Sequence, residues 1–389
     1  MTPSKKWSLR MADSTIARLP ALAEEWNYQW GLVLKGFEQV WRATGDERYF
    51  VYIQHNIDRF VRTDGTIRGY RLDEYNVDRL NTGKVLFALY EKTRDAKYKC
   101  ALDLLRLQLD TQPRTKSGGF WHKRIYPDQM WLDGIYMADA FYAQYAHTFS
   151  LLSATGDDSP RSEAERGGRG GGAFDDIAHQ IVLIEQHTRD PVTGLLYHAW
   201  DESKRQRWAN PITGCSPHFW GRAMGWYGMA IVDVLDFLPR DHPQRDTIIA
   251  ILNRMFDALA RVQDARTGVW YQVPDQGARG GNYLESSASC MFVYAMVKGA
   301  RHNYSPKECL ASAQRAYDGI IKQFVEVDRV GQVHLKGTCR SAGLGGTPYR
   351  DGSFEYYIGE PIATDNHHGV GAFILASDEI ESLQTLTIR

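Results

Sequence analysis

The chain has 389 residues, 43% of them hydrophobic and 24% charged, with a formal net charge of -1. That is a globular balance, with no basic stripe for nucleic acid or an anionic membrane and no apolar run of the roughly 18 residues a membrane span needs. Five scattered cysteines without a CxxC pair argue against both a disulfide framework and a zinc site.

The amino-terminal "MTPSKKWSLRMADSTIARLP" has a basic start but no apolar stretch behind it, so it is not read as a secretory signal and a cytoplasmic protein is expected. From Trp30, "WGLVLKGFEQVW" opens on a small residue and is apolar nearly all round. A different pattern follows: Phe50, Ile53, Ile57 and Phe60 share one helical face, with Gln54, His55, Asp58 and Arg59 on the other. "TGKVLFALYEKT" from Thr82 and "DGIYMADAFYAQY" from Asp133 return to the all-round apolar type. "GDDSPRSEAERGGRGGGAF", 156 to 174, reads as a Gly/Arg-rich mobile loop insertion away from the chemistry. "GRAMGWYGMAIVDVL" from Gly221 is apolar throughout. After a start signal at Pro243, Ile248, Leu252, Met255, Leu259 and Val262 form a single stripe. "SSASCMFVYAMVKGA" from Ser286 and "HGVGAFILASDEI" from His368 complete the apolar set. Between them, "DGTI" at 64, "GGFWHK" at 118, "TGLLYHAW" at 193, "TGVWYQV" at 267 and "GQVHL" at 331 read as turns or short strands.

Helices apolar on every side are buried on every side, and helices with one stripe lie outside them. Six of the first kind alternating with the second describe an all-α fold, the (α/α)6 barrel or six-hairpin toroid. Residues 1–389 then form one domain, because no hairpin can bury its apolar face alone. An open α-solenoid is the alternative, and the unequal spacing and elaborated loops favour closure.

In such a barrel the inner helix starts gather at one mouth. Asp78, Asp133, His218, Arg222, Glu285, Asp365, His367 and His368 fall there, and the turns add His122 and His198. Set among Trp26, Trp30, Trp131, Trp220 and Trp226, these carboxylates, imidazoles and one guanidinium fit a sugar-binding cleft. Each has a structural alternative, because Asp caps helices, Arg pairs with acids and His satisfies backbone groups. The adjacent His367 and His368 have no ligand partner at helical spacing, so no metal is expected. "GGRGGG" lacks the strand and lysine of a phosphate loop, and there is no GxSxG elbow. Carboxylate chemistry remains, in which two acids in different surroundings divide acid and base work. At Asp133 a helix N-terminus lowers the pKa, while burial against Trp131 and a second carboxylate raise it. The sequence leaves that balance open.

The motifs "GGFWHK", "PDQMWLDGIYMADAF", "TGLLYHAWDES", "ANPITGCSPHFWGRAMGWYGMA", "TGVWYQV", "NYLESSASCMFVYAMVKG" and "HHGVGAFILA" resemble glycoside hydrolase family 105. These are the unsaturated rhamnogalacturonyl hydrolases, relatives of the family 88 unsaturated glucuronyl hydrolases, and the resemblance runs from about Trp26 to Ala376. It implies the same barrel and an unsaturated uronyl oligosaccharide from pectin as substrate. The expected reaction hydrates the C4=C5 enol ether: an acid protonates C4, water adds at C5, and the hemiketal opens to expel the next sugar. No cofactor is called for. By motif, Asp133 is the principal acid/base and Asp78 its partner. His122, His198, Arg222 and Trp226 match substrate-contacting positions, Trp131 provides a wall, and Arg222 suits a uronate carboxylate as a two-nitrogen donor. Trp220, Tyr28 and His368 join them as candidate substrate-binding residues. The alternatives are an inverting glycosidase acting on a saturated uronide with the same two acids, a related unsaturated glucuronyl hydrolase, and a non-catalytic sugar binder.

Overall fold

In the computed structural model, which describes residues 6–21, 24–154 and 170–387, the all-round apolar segments are the inner wall of a barrel. Every residue of Gly221–Leu235 is buried, and so is every residue of Ser286–Arg301 except Arg301. The other inner helices are Tyr28–Thr44, the 3-10 turn Val77–Val85 running into Leu86–Thr93, the segment from Leu132 to Ala154, and His367–Thr387. Each packs on the next around the ring, and the last packs back on the first, which closes the toroid. Gly31 allows one of these approaches: a Cβ there would stand 2.7 Å from the Thr82 backbone.

The striped segments form the outer layer. In Arg245–Arg261, Ile248, Leu252, Met255 and Leu259 are buried as the periodicity predicts, each contributing about 1.5–3 kcal/mol by leaving water. In Glu47–Asp58, Phe50, Ile53 and Ile57 are buried, and Phe60 packs just beyond the helix end. Ala96–Thr111, Gly170–Thr188 and Cys309–Phe324 complete that side of the ring, and Trp7–Arg18 packs on the last inner helix. This first helix was not read from the sequence: Met11, Ala12 and Thr15 are its buried apolar and near-apolar positions, too few to stand out beside Lys5 and Lys6.

The connecting segments make short pairings. Gln129–Trp131 pairs antiparallel with Ala199–Asp201, placing Trp131 opposite Ala199, and single bridges join Val61 to Ile67, Arg114 to Phe120 and Tyr271 to Leu284. The loop insertion read over 156–174 is corrected at its end, because residues 170–174 begin the outer helix Gly170–Thr188; residues 156–169 lie outside the described residues. Among the described residues no helix is long and apolar enough to cross a membrane.

Candidate functional site

Two aspartates stand at the starts of adjacent inner segments, and neither caps its helix. The 3-10 turn carrying Asp78 is capped by Asn76, whose Oδ1 accepts the Asp78 backbone N–H at 3.1 Å. The helix starting at Leu132 has no side-chain cap. Both residues are buried, with side chains 12% exposed, and their carboxylates face imidazoles instead.

Their surroundings differ. Lys123 Nζ lies 2.6 Å from one oxygen of Asp78 and His122 Nε2 lies 3.3 Å from the other. Burial works to raise the Asp78 carboxyl, but Lys123 and His122 together outweigh it and hold Asp78 well below the ordinary carboxylate range. Among the described residues Asp133 has no lysine or arginine paired with it. His198 Nε2 is 3.1 Å from its Oδ2, yet the two are not aligned as a hydrogen bond, so the contact is one of proximity. The other ring nitrogen of His198 is fixed 2.8 Å from the Tyr357 hydroxyl.

Trp131 joins the two pairs. His122 stacks on its indole at 4.5 Å between centroids and 8°, Tyr126 stacks on it at 5.1 Å, and His198 meets it edge-on at 5.2 Å. Gly134 keeps the His122 ring in place from another side. A Cβ there would come 3.1 Å from His122 Nδ1.

The remaining candidates divide by what their polar atoms already hold. Arg222 is 1% exposed; its Nε donates to Ser287 Oγ at 2.8 Å, and its Nη2 reaches Glu285 and the Cys339 carbonyl. Only Nη1 lacks a partner among the described residues, so the expected two-nitrogen fork is reduced to one nitrogen. His368 places Nδ1 on Asn366 at 2.8 Å and Nε2 on the Tyr28 hydroxyl at 2.9 Å. Burial, with Arg222 and His367 nearby, holds the His368 ring well below its ordinary pKa, and burial raises the Tyr28 hydroxyl. His368 thus orients Tyr28. Trp226 and Trp220 are 1% and 2% exposed, too buried to serve as open stacking faces. Trp226 stacks on Tyr136, and Trp220 donates to Gln272 and backs His198 and Tyr357.

Three other positions from the mouth census serve the scaffold. Glu285 caps the fifth inner helix, accepting the Ala288 N–H at 2.6 Å. Asp365 holds His334 at 2.6 Å and the Leu335 N–H at 2.9 Å. His367 lies against Trp30, its pKa pushed down to about 4 by burial. His218 sits apart from these, beside Gln276 at 2.9 Å.

The sequence reading passed over Lys123 and Tyr357. Lys123 had a signal, since it directly follows His122 in "FWHK". Tyr357, in "FEYYIG", reaches His198 across 159 residues and had none.

Residues 6–152 and 170–384 match the model of Glycosyl Hydrolase Family 88. A family 105 glycoside hydrolase from C. acetobutylicum ATCC 824 is 47% identical, with a TM-score of 0.91 over 97% of this chain and 100% of its own. The chain belongs to glycoside hydrolase family 105 and matches the family 88 model along most of its length. It is therefore a glycoside hydrolase of the group that contains the unsaturated uronyl hydrolases. The unsaturated rhamnogalacturonyl hydrolase YesR of Bacillus subtilis is 26% identical over 295 residues, 74% of this chain and 75% of that protein. The unsaturated glucuronyl hydrolase of Bacillus sp. GL1, at 14% identity and a TM-score of 0.66 over 96% of this chain and 95% of its own, shares the fold.

Proposed function

We propose that this family 105 enzyme removes the 4,5-unsaturated uronic acid from the non-reducing end of pectin-derived rhamnogalacturonan oligosaccharides, by hydrating the C4=C5 double bond. The observation that carries the reading is the electrostatic contrast between two buried aspartates flanking one tryptophan. Asp78, pinned by Lys123 and His122, is ionised at neutral pH and cannot serve as proton donor. Asp133, with no lysine or arginine paired with it among the described residues and an unaligned imidazole, is the group left to carry a proton to C4. His198, oriented by Tyr357, stands where it can steady the carboxylate that remains.

Water then adds at C5, its surplus proton returning to the Asp133 carboxylate, and the hemiketal so formed opens and releases the neighbouring sugar. Trp131 supplies the wall and Arg222 Nη1 faces the uronate as a donor, while Tyr28, whose O–H is given to the bare Nε2 of His368, is left with an oxygen that can accept from a sugar hydroxyl. Rhamnose as the leaving sugar is supported by likeness to the rhamnogalacturonyl hydrolase of B. subtilis. Five free thiols accord with action inside the cell on short oligosaccharides, which is part of the same proposal.

The test is loss of ultraviolet absorbance from an unsaturated galacturonyl-rhamnose disaccharide, with its saturated twin assayed for sugar release. Absorbance lost with wild type but not with Asp133→Asn, and an untouched saturated twin, is the expected result. Cleavage of the saturated twin would instead make the enzyme an ordinary uronidase.

A further inference from the structure

Six residues beyond Asp133 in the third inner segment, Asp139 is wholly buried, and neither of its carboxyl oxygens has a partner among the described residues. It closes a π-helical turn, Ile135–Asp139, a widened turn that re-aims the side chains around it. An unpartnered buried carboxyl costs about 1–3 kcal/mol or more, so its position calls for an explanation. The function proposed above gives Asp139 no part.

Asp139 lines a small cavity of about 10 Å³ together with His122, Trp131, Gly134 and Gln180. That is close to the ~10–15 Å³ that one water occupies. His122 Nδ1 is buried and, like the Asp139 oxygens, has no partner among the described residues. Gln180 is committed elsewhere, accepting the Phe120 N–H at 2.7 Å and donating to the Gly118 carbonyl at 3.0 Å. The polar atoms facing this space with capacity to spare are therefore the Asp139 carboxyl and His122 Nδ1. On its other side, His122 Nε2 meets Asp78.

We infer that Asp139 is a positioning residue: through one water in this cavity its carboxylic O–H supplies a hydrogen bond to His122 Nδ1, fixing the imidazole with its Nε2–H on Asp78. The proton inventory is consistent. The acid donates to water, water donates to the bare Nδ1, and Nε2 keeps the proton that Asp78 accepts. The charged and titratable groups facing Asp139 agree with a protonated acid. From the outer helix, Asp176 pairs with Arg114 at 2.7 Å, and from the fourth inner helix the Tyr227 hydroxyl is bound to the Ile181 carbonyl. Burial first and the Asp176 charge second push the Asp139 carboxyl well above its ordinary range, against a smaller pull from Arg114. Asp139 thus acts on Asp78 through His122, as an outer partner sets the tautomer of a working histidine.

This inference rests on the functional reading above only for its kinetic arm, so the deciding measurement is made without substrate. Histidine-15N NMR of the wild-type protein at about pH 7 is expected to show His122 with Nε2 protonated and Nδ1 bare and hydrogen-bonded. Asp139→Leu should move the Nδ1 resonance to that of an unbonded ring nitrogen. On the unsaturated disaccharide it should lower kcat about tenfold, with KM within about twofold, because a small misplacement of a working group is costly. Asp139→Asn, which can still donate through its amide, should stay closer to wild type in both. A protonated Nδ1 in the wild type would overturn the inference with no variant needed. So would an Asp139→Leu protein whose Nδ1 resonance or kcat is unchanged. A purely structural Asp139 would shift Tm and leave Nδ1 as it was.

Discussion

Replacing Lys123 with methionine removes the ammonium that stands 2.6 Å from Asp78 Oδ2 while keeping most of the side-chain volume. Two effects oppose each other at Asp78: burial raises its pKa, and Lys123 with His122 lowers it further than burial raises it. An opposite charge this close is worth about 1–3 pKa units. With the lysine 23% and the aspartate 12% exposed, a rise of about 2 units, or about 2.7 kcal/mol, is expected. The working site proposed above has Asp78 ionised, so the acid limb of the kcat/KM profile should move up by about 2 pH units, into the ordinary carboxylate range. Stability provides the second assay. A carboxyl whose folded pKa is depressed contributes stability above its unfolded value of about 3.9, and that contribution is lost as pH falls through the folded value. Lys123→Met should therefore lower Tm most near neutral pH, and the gap to wild type should shrink in acid. An unmoved acid limb, or a Tm gap independent of pH, would refute the electrostatic account of Asp78.

The remaining predictions concern Asp133 and the settings of the His198 and His122 rings. Asp133→Asn should lower kcat by about 10²–10⁴, the worth of a positioned general acid, while a melting curve stays near that of wild type. Tyr357→Phe removes the 2.8 Å contact to His198 Nδ1 and leaves that nitrogen buried without a partner. A loss of about 1–3 kcal/mol in denaturant unfolding is expected, with a fall in kcat as His198 loses its orientation. Gly134→Ala sets a methyl 3.1 Å from His122 Nδ1, on a ring already stacked against Trp131. Crowding there should cost about 1–3 kcal/mol and reduce activity, whereas an active variant of wild-type stability would mean that the ring has room to shift.

The fold was legible because the barrel imposes two different periodicities. The run from Gly221 has no polar face, and the run from Ile248 has a clear one, a difference that only a helix shielded by other helices produces. The helix Trp7–Arg18 escaped notice because its contact with the closing helix is long-range and its buried stripe is short. At the site, Asp78, Asp133, His122 and His198 could be read from motifs. What each side chain has left to offer could not. The partners that occupy Arg222 and His368 come from Glu285, Ser287, Cys339, Asn366 and Tyr28, and no local pattern announces those pairings. Asp139 was hidden for a related reason. Inside "DGIYMADAF" it reads as one polar interruption of an apolar helix, and only the cavity it shares with His122 gives it a context.

The central claim is that the double bond, not the glycosidic bond, reacts first. It is tested most directly by following ultraviolet absorbance and rhamnose release together in a single turnover of the unsaturated galacturonyl-rhamnose disaccharide. Hydration by way of Asp133 predicts that absorbance falls with or ahead of the appearance of rhamnose. Rhamnose appearing while the absorbance is still intact would place the first bond broken at the anomeric carbon and contradict the account.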